Sequence, residues 1–183
     1  MAGGAEAFVT LRKYEADLQQ IYKRLAASGL LPASLASVIL FSAYASAAQL
    51  NLADNTWTTI VLGTELFDVG GNFAANTFTA PQAGYYLFTA CVGFIQPHSQ
   101  SVHGARIYKS NAVARVLGRA LSEAGSQANC VTPNIGVSVA AIVNLAAADT
   151  VVLQAWVDAN AAASVDIDFG NGLTCFQGIF LST

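Results

Sequence analysis

Charge is what this sequence has least of. Only 10% of its 183 residues are charged, against about a quarter in an average soluble domain, while 54% are apolar. The net charge is −3 and the chain has no run of basic residues, so the sequence does not favour binding to nucleic acid or to an anionic membrane surface. A monomer of this composition would expose much apolar surface, which packing into an oligomer or larger assembly would cover.

Cysteine is also scarce, and its spacing excludes two classes of protein. The three cysteines, Cys91, Cys130 and Cys175, lie 39 and 45 residues apart. An odd number is not a disulfide framework, and these intervals are not those of a metal-binding motif. Cys91 and Cys175 fall within apolar strand patterns, where a cysteine behaves as a small buried hydrophobe. The pattern indicates free thiols and synthesis in a reducing compartment.

Motifs for catalysis are missing. The chain contains no G-x-S-x-G, no P-loop and no G-x-G-x-x-G, which excludes the common signatures of hydrolases and nucleotide-binding enzymes. Acidic residues are sparse, and no pair of them suggests general acid–base catalysis. The sequence therefore predicts a protein that is not an enzyme and needs no cofactor.

The N-terminal segment, residues 5–28, predicts an α-helix. It contains no Gly or Pro and is rich in helix-forming residues, and Gly29 and Pro32 follow as end signals. Its apolar residues are spaced 3, 4, 3, 4, the a/d seam of a short coiled coil: Leu11, Tyr14, Leu18, Ile21 and Leu25. We interpret residues 1–33 as a coiled-coil stem or anchor, with residues 34–183 as the head. A helix docked on the head, or on another protein, remains an alternative.

No targeting segment is predicted. The stretch of residues 30–49 is uncharged and resembles the core of a signal peptide. A long charged helical segment precedes it, however, Pro32 interrupts it, and it is short for a membrane span. We therefore expect neither secretion through a signal peptide nor insertion into a membrane.

The segment of residues 84–95 predicts a strand that is apolar on both faces. Its even and odd positions are almost equally apolar, whereas a strand with one wet face alternates. The core of a β-sandwich would cover one face and a neighbouring subunit the other. A central strand inside one large domain is the alternative.

The rest of the head reads as short strands separated by turns. Such spacing is typical of a sandwich or barrel, most often a jelly roll. A turn is predicted at residues 68–72 and a polar loop at 119–132. The predicted strands are residues 37–46, 57–62, 104–109, 113–117, 135–145, 150–157, 165–169 and 174–181, with a hairpin turn at Ser110–Asn111.

Residues 67–94, FDVGGNFAANTFTAPQAGYYLFTACVGF, resemble the C1q/TNF-like domain family through Phe-Asp, Gly-Asn-Phe, Phe-Thr-Ala-Pro and Gly-x-Tyr-x-Phe. Residues 148–151, ADTV, resemble the family's Gly-Asp-x-Val turn, and residues 175–181, CFQGIFL, resemble its closing strand. Phe41-Ser42-Ala43 stands where the first strand begins. The resemblance covers residues 37–183. Ala148 replaces a family glycine, Asn111-Ala112 replaces an Asn-Gly turn, and no collagen-like stretch precedes the domain.

The resemblance implies an all-β jelly-roll sandwich of about ten antiparallel strands that forms a tight homotrimer. In the family, aromatic residues of the Gly-x-Tyr-x-Phe strand and of the closing strand lie near the threefold axis. The matching residues are Tyr86, Phe88, Phe176 and Phe180, which are candidates for the trimer interface. The sequence leaves open which face of each strand meets the axis, so ordinary packing in the sandwich core is the alternative for each of them.

Few polar residues suggest a ligand site. His98 and His103 fall in one predicted loop without a carboxylate or cysteine nearby, so solvated side chains are expected rather than a metal site. Asp166 and Asp168 share one face of a predicted strand, which favours a solvated face over calcium binding. Trp156 alternates with apolar neighbours, so it is expected to face outward, where a sugar could stack on it. An intersubunit contact is the alternative for Trp156.

These features favour a non-enzymatic homotrimer with structural and adhesive roles. Short C1q-like trimers with a helical anchor resemble virion appendages of tailed bacteriophages: head fibres, capsid decorations or fibre tips. On this hypothesis the trimer is assembled in the host cytoplasm, residues 1–33 contact capsid, portal or tail proteins, and the head binds a host surface or glycan. The alternative is a free C1q/TNF-like or lectin-type trimeric binding module outside a virion.

Overall fold

A computed structural model describes the chain at Gln20 and Arg24, which are helical, and over residues 39–95, 102–111, 115–123, 134–158, 165–169 and 173–183. The chain divides into two units, Met1–Val38 and Ile39–Thr183. The rest of the predicted helix, its apolar seam and the predicted boundary after residue 33 lie outside the described residues. No helix within these ranges has the length and apolar character needed to cross a membrane.

The second unit is built of β-strands, and all its strand pairs are antiparallel. In the described residues the strands are β1 Leu40–Tyr44, β2 Thr58–Thr59, β3 Thr64–Val69, β4 Phe73–Ala74, β5 Thr77–Thr79, β6 Gly84–Ile95, β7 Val102–Lys109, β8 Arg115–Glu123, β9 Asn134–Leu145, β10 Thr150–Asp158, β11 Asp166–Ile167 and β12 Cys175–Ser182.

The strands form two sheets of six. The first has the order β11-β6-β12-β1-β3, with β9 on the other edge of β6, and the second has the order β4-β5-β10-β7-β8, with β2 paired to β10. Strand β6 pairs with β9 along its whole length. It pairs with β12 through most of its length on the opposite edge and with β11 at its end. Strand β6 is therefore the centre of the first sheet.

The core lies between the two sheets and is largely aromatic. Phe41 of β1 stacks on Phe73 and Phe78, with ring centroids 4.7 and 5.2 Å apart. It also meets Phe176 edge-on at 5.1 Å, and Phe176 stacks on Phe88 at 5.6 Å. Burying each such side chain contributes about 1.5–3 kcal/mol relative to leaving it in water. This cluster joins β1, β6 and β12 of the first sheet to β4 and β5 of the second.

Two glycines of the family-like motifs, Gly178 and Gly84, stand where the structure has no room for a side chain. At Gly178 of β12 a side chain would collide with the rings of Phe41 and Phe88, so glycine alone lets the strand pass over the aromatic cluster. Gly84, at the start of β6, has φ +150° and would place a Cβ against the carbonyl oxygen of Ser182. A larger residue at either position would displace β6 or β12, which form the middle of the first sheet.

Two aspartates hold turns through hydrogen bonds to the backbone. Asp68 accepts bonds from the backbone N–H groups of Asn72 (3.1 Å) and Phe73 (2.9 Å), which fixes the turn after β3. Asp149 accepts bonds from the backbone N–H of Ala146 (2.9 Å), the amide of Asn111 (2.9 Å) and the ammonium of Lys109 (2.6 Å). The second set fastens the turn between β9 and β10 to the hairpin after β7.

The turn before Asp149 keeps a left-handed residue although it has no glycine there. Ala148 has φ +67°, a conformation that costs a residue with a Cβ roughly 1–2 kcal/mol. Ala148, which replaces the family glycine, therefore holds a conformation that glycine would adopt without this strain.

Most of the predicted strands are confirmed. The hairpin about Ser110–Asn111 is present as β7 and β8, and the predicted strands in the regions of β1, β9, β10 and β12 occur at almost the predicted positions. Strands β3, β4 and β5 were not predicted: β4 and β5 have only two and three residues, and β3 runs into the predicted turn at residues 68–72. Strand β8 runs to Glu123, so the predicted loop over residues 119–132 begins too early. Pairing with β7 keeps this polar stretch extended despite its low strand propensity.

Two residues that were expected to be solvated are buried instead. His103 lies on the inward side of β7 with no exposed surface, and its ring centroid is 4.9 Å from that of Phe94. Asp168 follows β11 and is 7% exposed, while its backbone N–H donates to the carbonyl of Gly93 at 2.8 Å. Both expectations were wrong because each residue packs against β6, His103 from the opposite sheet and Asp168 from beside β11, and local polarity does not reveal such long-range contacts.

Ala148→Gly is expected to stabilise the protein by up to about 1 kcal/mol. Glycine removes the left-handed strain but also makes the unfolded chain more flexible, which costs about 0.4–1 kcal/mol. Ala147→Gly in the same turn is the control: Ala147 lacks a positive φ, so it should lose stability. Urea unfolding of the three proteins at one chain concentration measures both changes. A lower midpoint for Ala148→Gly would contradict the assigned turn.

Asp149→Asn is expected to destabilise the fold by about 1–3 kcal/mol at pH 7, because Lys109 loses its partner. Burial alone would raise the pKa of Asp149, but the hydrogen bonds from Lys109, Asn111 and Ala146 outweigh it and lower the pKa. A lowered pKa gives stability that is present above the ordinary value of 3.8 and is lost as the pH falls toward the folded value. Urea unfolding from pH 7 to pH 3 should therefore show the variant and the parent converging. A gap that is independent of pH would contradict this role.

Candidate binding surfaces

Over its strands β1, β6, β9 and β12, the outer side of the first sheet is an extended surface without charge. None of the residues in β1, β6, β9 and β12 is Asp, Glu, Lys, Arg or His. Successive residues of a strand face opposite sides of its sheet, so half of these uncharged side chains point away from the core. We call the outer side of these four strands the uncharged face.

A row of apolar residues crosses the uncharged face and continues onto β3. In the strand registers each member lies opposite the next, so the row joins five strands. Two of its members are well exposed, Ile142 at 66% and Ile179 at 41%. The row consists of Ile142 of β9, Leu87 of β6, Ile179 of β12, Leu40 of β1 and Val69 of β3. Cross-strand neighbours of this kind form a continuous apolar strip.

Small and polar uncharged side chains continue the face beside that row. Cys91 of β6 lies directly opposite Cys175 of β12, and both are free, half-buried thiols. Burial, with a smaller contribution from the neighbouring thiol of Cys91, raises the pKa of Cys175. The Cys175 thiol therefore remains uncharged at neutral pH, in keeping with the rest of the face. Further exposed apolar side chains on or beside it are Leu66, Phe67, Tyr85 and Leu181.

The structure places the predicted interface residues mainly on the other side of the sheet. Tyr86, Phe88 and Phe176 have no exposed surface within one chain, so they pack in the core between the two sheets. Phe180 is half-buried and packs edge-on against Tyr86 at 5.2 Å. The hydroxyl of Tyr86 donates to the carbonyl of Gln82 at 2.7 Å. Of the two faces of β6, the one left open is therefore that of its odd-numbered residues.

The outer side of the second sheet has a different character, with aromatic rings and arginines packed together. The rings of Trp57 and Trp156 stack with centroids 6.1 Å apart and planes inclined by 28°. The guanidinium carbon of Arg106 is 4.3 Å from the ring centroids of both Trp57 and Tyr108. That of Arg119 is 5.7 Å from the ring of Trp57. We call these five residues the aromatic–arginine cluster.

The strand registers and one glycine build this cluster. Gly104 of β7 lies opposite Trp156 of β10 and Leu121 of β8. A Cβ at Gly104 would come within 3.1 Å of the Trp57 ring and 2.8 Å of Leu121, so Trp57 can fold over the sheet only because this position has no side chain. Trp57 itself stands immediately before β2, a strand of two residues that pairs with β10.

Two positive charges face each other in the cluster. Arg106 of β7 and Arg119 of β8 are register partners. Burial, and to a smaller extent the proximity of Arg119, lowers the pKa of Arg106. Its Nε donates to Oε1 of Gln154 at 2.8 Å, and Gln154 in turn donates to the hydroxyl of Thr59 at 3.3 Å. Among the described residues neither arginine forms an ion pair, whereas Lys109 pairs with Asp149.

Trp156 faces outward, as the alternation of β10 predicts. It is half-buried because Trp57 covers one side of it. The other members of the cluster were missed in the sequence, since Trp57, Arg106 and Arg119 lie on three other segments that only the strand registers bring together. Within the part of the chain that the structure describes, no three His, Cys, Asp or Glu side chains converge as metal ligands would.

Comparison with known proteins identifies the fold. No family model and no curated protein matches the chain. Among solved structures it is similar to murine APRIL, with a TM-score of 0.60 and 12% identity over 79% of this chain and 100% of that one. It is also similar to Eiger TNF from S. frugiperda, with a TM-score of 0.58 and 10% identity over 79% of this chain and 93% of that one.

A third similar structure is the globular domain of zebrafish complement 1qA protein, with a TM-score of 0.54 and 16% identity over 78% of this chain and 97% of that one. Each of the three is covered almost completely, so the similarity extends over the whole sandwich. The described head has the C1q/TNF-like jelly-roll fold, and the fold class predicted from the sequence is confirmed.

Proposed function

We propose that the chain is the subunit of a homotrimeric, non-enzymatic appendage on the virion of a tailed bacteriophage, such as a head fibre, capsid decoration or fibre tip. The head binds a surface, and residues 1–33 attach the trimer or hold its three chains together. The observation that carries the proposal is the uncharged face of the first sheet.

A second copy of the chain is the occupant that suits this face. Ile142, Leu87 and Ile179 form part of an apolar strip, and burying apolar surface contributes roughly 25 cal/mol per Å². An association that buries about 1,200–2,000 Å² in total is typical of a stable interface. No charge on β1, β6, β9 or β12 would have to lose its water on association, so identical copies can bury these strands without an unpaired ion. The family resemblance implies three copies around a threefold axis.

The thiols favour assembly inside a cell. Cys91 and Cys175 lie opposite each other and are free, although neighbouring thiols are readily joined in an oxidising compartment. Free thiols fit a protein that is completed in host cytoplasm, as virion proteins of bacteriophages are. The predicted stem in residues 1–33 would then contact capsid, portal or tail proteins.

A free trimeric binding module is the second candidate. The similarity to murine APRIL, to Eiger TNF and to zebrafish complement 1qA protein favours it, since none of these three is a virion protein by its description. The same head and the same trimer would serve this function. The two candidates differ in whether the N-terminal unit attaches to a particle.

Mass spectrometry of purified particles tests the virion proposal. We expect the chain to band with the capsid in a density gradient of the phage that encodes it, in a multiple of three copies per particle. Deleting residues 1–33 in the phage genome should leave the head in the unbanded fraction, because the anchor is lost. A full-length chain absent from the capsid band would contradict the virion role and favour the free module.

A further inference from the structure

We propose that the aromatic–arginine cluster binds an acidic saccharide, a sugar chain in which pyranose rings carry carboxylates. The proposal rests on the binding role assigned to the head and gives that role a site and a class of ligand. The cluster lies on the second sheet, whereas the uncharged face belongs to the first, so trimer formation through that face and saccharide binding use different surfaces.

The strongest indication is the pair of facing arginines. Like charges opposite each other on neighbouring strands destabilise a sheet, and residues 39–183 have four basic and eight acidic residues from which ion pairs could be formed. Yet among the described residues Arg106 and Arg119 form no ion pair. An anion between the two guanidinium groups would relieve their repulsion, so the arrangement is suited to a negatively charged ligand.

The arginines are positioned to bind a planar anion. A guanidinium that stacks on an aromatic ring uses its flat face, and the N–H donors in its plane remain available to a carboxylate. Gln154 holds the Nε of Arg106 at 2.8 Å, which fixes the direction of that side chain. Arg119 is exposed and contacts Trp57 from the other strand, so it can adjust to the ligand while Arg106 stays in place.

The tryptophans supply the remainder of a sugar site. Trp57 and Trp156 are half-buried and stack on each other, which places two partly exposed aromatic rings together on the outer side of the sheet. Such a surface suits the apolar face of a pyranose ring, and Thr59 and Gln154 provide hydroxyl and amide groups beside it. An apolar platform with a few fixed polar groups is the usual composition of a small-ligand site.

A carboxylated sugar fits the local charge better than a nucleic acid does. A nucleic acid brings one phosphate per nucleotide, and its binding depends on several cationic side chains along the strand. The cluster has two arginines, and the remaining charge of residues 39–183 is predominantly acidic. One or two carboxylates match two arginines, whereas a longer row of phosphates would meet repulsion.

Tryptophan fluorescence of the full chain, titrated with defined oligosaccharides, tests the site. We expect a hexasaccharide of galacturonic acid to change the emission of Trp57 and Trp156 saturably, and maltohexaose, a neutral sugar of equal length, to bind at least tenfold more weakly. Sialyllactose forms a second arm, which shows whether the carboxylate comes from a uronic or a sialic acid. Saturable binding of either acidic sugar supports the proposal.

Arg119→Gln is the deciding variant, because Arg119 is exposed and its removal leaves the core unchanged. Its affinity for the acidic sugar should fall at least tenfold, and the remaining binding should depend less on salt. Arg115→Gln is the matched control: it removes the same charge from the same strand, opposite Lys109, and should stay within about twofold of the parent.

Three results would overturn the proposal: no binding of either acidic sugar, equal binding of maltohexaose, or unchanged affinity in Arg119→Gln. Tighter binding of a thymidine hexanucleotide would assign the cluster to nucleic acid instead. These outcomes are separate from the virion test. If the chain bands with particles but does not bind either acidic sugar, only the saccharide site is contradicted. If it binds an acidic sugar but is absent from particles, only the virion role is contradicted.

Discussion

Strand β6 is apolar on both of its faces, and the rest of the structure depends on this constraint. One face carries Tyr86, Phe88 and Phe94, which the second sheet covers completely. The other carries Leu87, Cys91 and their neighbours, which one chain leaves open. Strands β9 and β12 flank β6 and have no charge either, so the open face extends over the middle of the sheet. Exposing such an apolar surface to water is unfavourable, and we propose that copies of the same chain cover it.

Five of the charged residues of the head lie either at turns or together on the second sheet. Asp68 and Asp149 fix turns, and Lys109 is the cation that fastens the second of these turns. In the described part of the chain Arg106 and Arg119 do not hold a turn in this way. They lie together on the outer side of the second sheet. The two sheets thus carry different surfaces. The first has four adjoining strands without charge, which suit self-association, and the second has a cationic, aromatic site suited to an external ligand.

The sequence was sufficient to predict the fold class, but not to predict which face of the central strand meets the core. Alternation shows that Tyr86 and Leu87 face opposite sides of a sheet. When both sets are apolar, however, it does not show which set meets the core. The two faces are distinguished by Phe41, Phe73 and Phe78, which come from distant strands and close over one side only. Which face of β6 is buried therefore depends on long-range contacts between strands, and the local alternation of residues does not show it.

The aromatic–arginine cluster could not be predicted from the local sequence pattern for the same reason. Trp156 was expected to face outward, and it does. Its partners come from residues 57, 106 and 119, which are joined only by the registers of β2, β7 and β8 with their neighbours. The absence of a side chain at Gly104 completes the site, and glycine is more often a sign of a turn than of a platform.

The central claim is that the uncharged face joins copies of the chain, and the absolute mass in solution tests it most directly. Light scattering should give three chains for the full protein and for residues 34–183, and one chain for Ile142→Asp. That substitution puts a charge on the open face at a position 66% exposed in a single chain, so the monomer should keep its β-sheet circular dichroism. A monomeric parent, or an Ile142→Asp variant that remains a trimer, would contradict the claim.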